Sequence, residues 1–226
     1  RMRINAEFDK RASVHGAEVD WVASPMAGVE RRMLDRIGDE VARATTIVRY
    51  APGSAFSPHV HGLGEEFLVL EGVFTDEHGD FPAGSYVRNP PTSRHTPSSA
   101  PGCTILVKLC QFDPDDRAHV RVRADRMAPV PAAGRPGVAV LPLYADDREE
   151  VRIEIWSPGA EIAIDAAGGL EAFVLDGGFE ESGETFRPES WLRLPIGARL
   201  AAMTGSKGAR VWIKTGHLRH LGDWAA

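Results

Sequence analysis

The chain has little cysteine, no long apolar run and no block of basic residues, and each shortage removes a class of function. Only two cysteines, Cys103 and Cys110, occur among 226 residues. Both lie in the run GCTILVKLC, where an odd separation puts them on opposite faces of a strand, so they cannot pair with each other. A disulfide framework is excluded. Reducing, cytoplasmic surroundings fit better than secretion, and both thiols read as small buried hydrophobes. No stretch approaches the ~18 uninterrupted apolar residues of a membrane span. The opening residues RMRINAEFDKRASVHG carry no apolar core of the kind a signal peptide needs. Lys and Arg number 26 against 32 Asp and Glu, a net charge of −6. With no basic block, direct binding to nucleic acid or an anionic membrane is not expected.

What remains is an ordinary globular composition, 43% hydrophobic and 26% charged, on a chain long enough for one large or two small β domains. Glycine (23) and proline (16) punctuate short runs rich in Val, Ile, Leu, Phe and Thr. ARATTIVRY, EFLVLEGVF, GSYVRNP and CTILVKLCQF read as strands in the first half; VRIEIWS, EAFVLDGGF, SWLRLP and ARVWIKT do so in the second. In VRIEIW, Val151, Ile153 and Ile155 share one face while Arg152 and Glu154 share the other, the period of a half-buried strand. GVERRMLDRIGDEVARA has some helical look, but Gly38-Asp39 interrupts it and it reads as a hairpin.

The order of strands and turns occurs twice. EEFLVLEGVFTDEHGDFPAGSYVRNPP lies over LEAFVLDGGFEESGETFRPESWLRLPI, RYAPGSAF over IWSPGAEI, and APGCTILVKL over SKGARVWIKT. The copies cover about residues 28–112 and 138–215. Between them DPDDRAHVRVRADRMAPVPAAGRPG reads as a linker with one short strand, HVRVR. Two small antiparallel units of jelly-roll size are the simplest all-β architecture.

One constellation carries chemistry. In GSAFSPHVHGLGEEFLVLEG, His59 and His61 are two apart on a strand, so both imidazoles point one way. Gly62 and Gly64 permit a tight turn, and Glu65 re-enters on the next strand. Glu66 is the alternative carboxylate; its parity differs from the histidines, and the turn can shift the phase. DFPAGSYVRNPPTSRH then supplies Pro82, Gly84 and His95, which a strand pair brings beside the others. Three neutral imidazoles and a carboxylate suit Zn, Fe, Mn, Co, Ni or Cu, and not Ca or Mg. Such a set closes a tetrahedral site, or leaves two positions open on an octahedral ion.

These segments resemble the two cupin motifs, and YAPGSAFSPHVHGLGEEFLVLEG with AGSYVRNPPTSRHTP resembles the ChrR cupin-like family in particular. The resemblance implies two tandem cupin barrels: residues 1–125, a metal-binding domain with an N-terminal extension, and residues 126–226, a degenerate one. It implies that His59, His61, Glu65 and His95 hold one divalent transition ion, zinc or iron first. Similar proteins include metal-dependent dioxygenases that cleave carbon–carbon bonds in diketone-like substrates, and the metal-binding half of a zinc-dependent anti-sigma factor. That factor carries a separate zinc domain with cysteine ligands, and no cysteine precedes the first cupin here, which argues against a sigma-factor partner held in that way. The expectations are therefore a dioxygenase with a small-molecule ligand in the first barrel or a regulatory metal sensor, and a homodimer formed through edge strands.

In the second copy both histidines are replaced, the position of His95 falls on Leu200, and Glu171 aligns with Glu66. That barrel is expected to hold no metal. His15, His78, His119, His217 and His220 have no ligand pattern, with His78 in a solvated turn and His217 lacking a carboxylate partner. Arg49, Arg88 and Lys108 lie within strands, facing either solvent or an anionic substrate. Tyr86 and Phe67 read as core.

Overall fold

The computed structural model describes residues 1–225, and it is β throughout. Helical segments are single 3-10 turns, such as Gly16–Glu18 and Ala124–Arg126. Among the described residues no helix is long and apolar enough to cross a membrane. The chain forms two compact units. One comprises Arg1–Ala6 and Asp20–Arg126; the other comprises Glu7–Val19 and Met127–Ala226. Residues Glu7–Val19, read from sequence as part of an extension of the first domain, thus belong with the second unit. Their strand Ala12–His15 pairs antiparallel with Ser190–Leu194, Ala12 facing Arg193 and His15 facing Ser190. Alternation can reveal a short strand there, but not a partner so far along the chain.

In the first unit, strands Val29–Gly38, Ala42–Tyr50, Cys103–Leu109, Glu65–Asp76, Ser85–Asn89 and Val120–Arg123 lie side by side, each antiparallel to the next. GVERRMLDRIGDEVARA is the hairpin its glycine suggests. At Gly38, φ is +118°, and an added Cβ would fall 2.3 Å from the Val41 carbonyl oxygen, so no other residue fits that corner. HVRVR is an edge strand of this sheet rather than a free linker. Cys103 is buried and Cys110 half-buried; both are free thiols.

The strand Glu65–Asp76 crosses between two layers through a bulge. Val69 faces Ile105 while Glu71 faces Thr104, so one extra residue sits on the long strand. At Gly72 (φ +72°) an added Cβ would lie 2.0 Å from the Gly102 carbonyl oxygen. Beyond it the chain pairs with Gly79–Pro82 and, through Thr75, with Ser98. The extra residue flips the side-chain phase. Phe67 and Val69 before the bulge, and Phe74 after it, therefore enter one core with Val48, Val87, Ile105 and Val107.

The second unit repeats the plan in the order Val138–Ala145, Glu150–Trp156, Ala198–Thr215, Leu170–Glu181 and Ser190–Leu194. Its long strand bulges at Gly177 (φ +67°), where an added Cβ would sit 2.1 Å from Gly208 oxygen. Gly72 and Gly177 are equivalent positions of the repeat seen in the sequence. Trp156, Phe179, Phe186, Leu192 and Val211 fill the interior.

Candidate metal centre

Strand His59–His61 pairs antiparallel with Ser93–His95, so His95 lies directly opposite His59. Alternation sends Val60 outward, 58% exposed, and turns both flanking imidazoles inward. The three rings meet edge to face with centroids 4.7–4.9 Å apart. His61 Nε2 lies 3.1 Å from His59 Nε2 and 2.8 Å from His95 Nε2.

The turn that follows delivers the carboxylate. At Gly64, φ is +86° and an added Cβ would fall 2.3 Å from the Phe112 ring, so the corner requires glycine. Glu65 emerges on the same face as Phe67 and Val69, which is the core face. Its Oε2 lies 3.3 Å from His61 Nε2 and its Oε1 3.7 Å from His95 Nε2. Asn89 Nδ2 donates to Oε1 at 3.3 Å, holding the carboxylate in place. Glu66 takes the opposite face, where it accepts from the Tyr86 hydroxyl and from Arg88 Nη1 at 3.1 Å. Parity thus separates the two candidate carboxylates, and Glu65 is the one beside the histidines.

Partners on the far side of two rings fix their tautomers. His59 Nδ1 lies 3.2 Å from the Ser57 carbonyl oxygen, and His95 Nδ1 lies 3.1 Å from Asp76 Oδ2. A carbonyl and a carboxylate only accept, so each Nδ1 carries the proton and each Nε2 presents a bare lone pair. His61 has at most one Nε2 proton to give in its neutral form. At least one imidazole nitrogen therefore faces another without a hydrogen between them. Nitrogens bound to one ion at ~2.0–2.1 Å with angles of 90–109° sit ~2.9–3.4 Å apart, close to the spacings found. The donor set fits a single transition ion.

The surroundings bias charge within the cluster. Burial lowers the His61 pKa, and the neighbouring His95 and His59 push the same way against Glu65. Burial also works to lower that of His95. There the hydrogen bond to Asp76, with Glu65 and Glu77 behind it, outweighs burial and holds the ring above the usual histidine range. For Asp76, burial alone would raise the carboxyl pKa. The bonds from the His95 ring and the His78 backbone N–H prevail and keep it below the ordinary value.

Asp76 is the site residue that sequence reasoning missed. It ends the long strand in the turn TDEHGDF, and the bulge between Val69 and Glu71 returns it to the inner face together with Phe74. His78 N donates to Asp76 Oδ1 at 2.8 Å, and Thr96 N donates to the Glu77 carboxylate at 3.1 Å, so this turn braces the segment that carries His95. His78 itself is exposed. An aromatic wall flanks the cluster. Phe74 lies 5.9 Å from the His95 ring and 6.1 Å from Tyr50, which in turn lies 5.4 Å from Phe56.

Other sequence candidates stay away from this point. Arg49 pairs with Glu30 at 2.8 Å and stacks 4.2 Å from the Trp21 ring. Arg88 and Lys108 both face Glu66 in register, across the sheet from Glu65, and Lys108 Nζ donates to Thr45 Oγ1 at 2.7 Å. The anionic-substrate reading of these cations does not hold. Tyr86 and Phe67 are buried, as read. His217, thought to lack a carboxylate, has one: its Nε2 lies 2.9 Å from Glu171 Oε1. The two are 46 residues apart, beyond any local pattern. His15 pairs with Glu184 at 3.0 Å.

In the second unit Ile164 faces Leu200 in register, as His59 faces His95 in the first. Ile164, Ala166, Leu170 and Leu200 occupy the places of His59, His61, Glu65 and His95, and all four lie in its apolar core. Each fully buried large aliphatic side chain there contributes about 1.5–3 kcal/mol. Glu171 sits at the Glu66 position, facing Arg193 and accepting from Trp191 Nε1 at 3.1 Å.

Residues 9–113 match the model of the ChrR cupin-like domain. Comparison with curated proteins gives no match. Among solved structures, a proposed dioxygenase from Nostoc punctiforme superposes with a TM-score of 0.70 at 13% identity, over 94% of this chain and 81% of that one. YlbA from Escherichia coli gives 0.69 at 14%, over 93% and 92%. The bacterial pirin YhhW of Escherichia coli, solved in complex with nickel(II), gives 0.64 at 13%, over 91% and 98%. At these identities the likeness is one of fold.

Proposed function

We propose that the first unit, which carries most of the match to the ChrR cupin-like domain, holds one divalent transition ion through His59, His61, Glu65 and His95, and acts as a metal-dependent dioxygenase on a small diketone-like or aromatic ketone substrate. The observation that carries this reading is the set of Nε2 lone pairs facing one another beside the Glu65 carboxylate. Zinc and iron are the ions we put first, and manganese, nickel, cobalt and copper suit the same donors. Such an ion supplies a Lewis acid with room for a chelating pair of ligand oxygens.

The protein's own groups do the rest. Asp76 and the Ser57 carbonyl hold the imidazoles with Nε2 inward. Asn89 steadies Glu65 through Oε1, which leaves Oε2 turned toward the histidines. Phe56 and Phe74 offer an apolar wall that limits water around the ligand. The second unit, with its interior filled by aliphatic side chains, serves as a structural partner in a two-cupin chain.

Anaerobic loading with Fe(II), followed by oxygen uptake across a panel of β-diketones and hydroxyacetophenones, tests the catalytic reading. Uptake that matches substrate loss supports it; no uptake with any member removes it.

The match of residues 9–113 to the ChrR cupin-like model favours a second reading, a metal-bound regulatory module. It predicts no turnover and a protein partner retained from native extract only while metal is present. A pull-down with and without chelator separates the two readings.

A further inference from the structure

We infer that Tyr50 is a ligand-positioning residue of the metal centre, its hydroxyl donating a hydrogen bond to an oxygen atom of the bound small molecule. This rests on the metal-centre reading above.

Tyr50 ends the strand Ala42–Tyr50 and faces Cys103, two residues beyond the pair Val48–Ile105. Val48, Cys103 and Ile105 all belong to the core that also contains Phe67 and Phe74, and Tyr50 packs against it. Side chains alternate along a strand, so Tyr50 shares the inner face of Val48. Its ring is held edge-on between Phe56 and Phe74. Phe74 in turn packs on the imidazole of His95. The phenol is therefore fixed one ring away from a metal ligand.

The hydroxyl has no hydrogen-bond partner among the described residues. Tyr86, the other tyrosine of the long sheet, gives its hydroxyl to Glu66, so the difference lies in what Tyr50 faces. Burial lifts the Tyr50 phenol above its ordinary range, and the nearby Glu65 carboxylate adds to this. The group is thus a neutral donor at neutral pH, in electrostatic reach of the acid that lies beside the histidines. Tyr50 is half-buried, and its phenol, flanked by two aromatic rings and lacking a protein acceptor, is open to a ligand acceptor. The ligand class follows: a small molecule with two oxygens to chelate the ion and a compact apolar body against Phe56 and Phe74, one oxygen also accepting from Tyr50.

The test uses the full chain loaded with Co(II), whose visible bands report ligation. Acetohydroxamate is the bidentate oxygen probe. Imidazole, which binds through nitrogen and offers no oxygen acceptor, is the control. Tyr50→Phe is expected to keep the metal content and melting temperature of the parent, to weaken acetohydroxamate about ten-fold and to leave imidazole unchanged. Equal acetohydroxamate affinity in both proteins overturns the inference, as does an equal loss for imidazole, which marks a structural effect. A parent that takes up cobalt but binds no acetohydroxamate overturns it while leaving the metal centre standing. A parent that takes up no metal removes both.

Discussion

His95 donates its Nδ1 proton to Asp76 Oδ2 across 3.1 Å while its Nε2 lies 2.8 Å from His61 Nε2. One ring thus joins a buried carboxylate to the proposed metal position, and the carboxylate decides which nitrogen is free to ligate. Replacing Asp76 by Asn keeps the shape but removes the charge and lets the partner offer an N–H instead. We expect Asp76→Asn to weaken metal binding about 10- to 100-fold, measured by competition with a fluorescent chelator, with the far-ultraviolet circular dichroism unchanged.

Removing a ligand should act on metal and not on fold. His95→Ala takes away one of three imidazoles and leaves the apolar core of Phe67, Val69, Phe74 and Ile105 in place. Metal per chain, read by elemental analysis after gel filtration, is expected to drop from near one to a small fraction. The elution volume should stay that of the parent. Full metal retention would exclude His95 as a ligand.

The second unit gives the complementary result. Leu200 is fully buried and faces Ile164 where the first unit has two histidines. Leu200→Ala removes apolar contacts and leaves a cavity, at a cost of about 2–5 kcal/mol. Chemical denaturation should show that loss, while metal content stays that of the parent.

Acid sensitivity has a source outside the metal centre. Glu154 is fully buried, accepting from Arg135 Nη2 at 2.7 Å, Arg152 Nε at 2.6 Å and Trp156 Nε1 at 2.9 Å. Burial alone would raise its pKa. The Arg135 bond, with Arg152 and Trp156, outweighs burial and holds it below the usual glutamate value. A carboxylate depressed in the folded state stabilises the fold above its unfolded pKa, near 4.5. That contribution disappears as pH falls from there through the folded value. Glu154→Gln should cost about 3 kcal/mol at pH 7, and the gap to the parent should close as the pH is lowered through that window. A gap that is the same at pH 7 and pH 3 would rule out this account.

Much of this was legible in the chain because it is local. The pair His59 and His61 shares a face by simple alternation, and the even spacing to Phe67 and Val69 puts Glu65 on the core side. Gly38 and Gly64 announce corners that only glycine can make. The frame of the repeat placed Leu200 where His95 stands, and the register of Ile164 with Leu200 agrees. Asp76 escaped because the bulge between Val69 and Glu71 reverses parity halfway along its strand, so counting from Glu65 puts it on the wrong face. The Glu171–His217 pair and the docking of Ala12–His15 escaped because their partners are remote. The long charged side chains of Arg88 and Lys108 left both faces open to argument, until strand register assigned them to the side of Glu66.

The pairing of Ala12–His15 with Ser190–Arg193 bears on how the protein is made. His15 and its mate Ser190 are 175 residues apart, so the first of these strands is synthesised long before the second. Closing a contact over so long a span is entropically slow. Ala12–His15 must therefore wait unpaired until residues 190–193 have been made, and this edge of the second unit closes only after everything between the two strands has been synthesised.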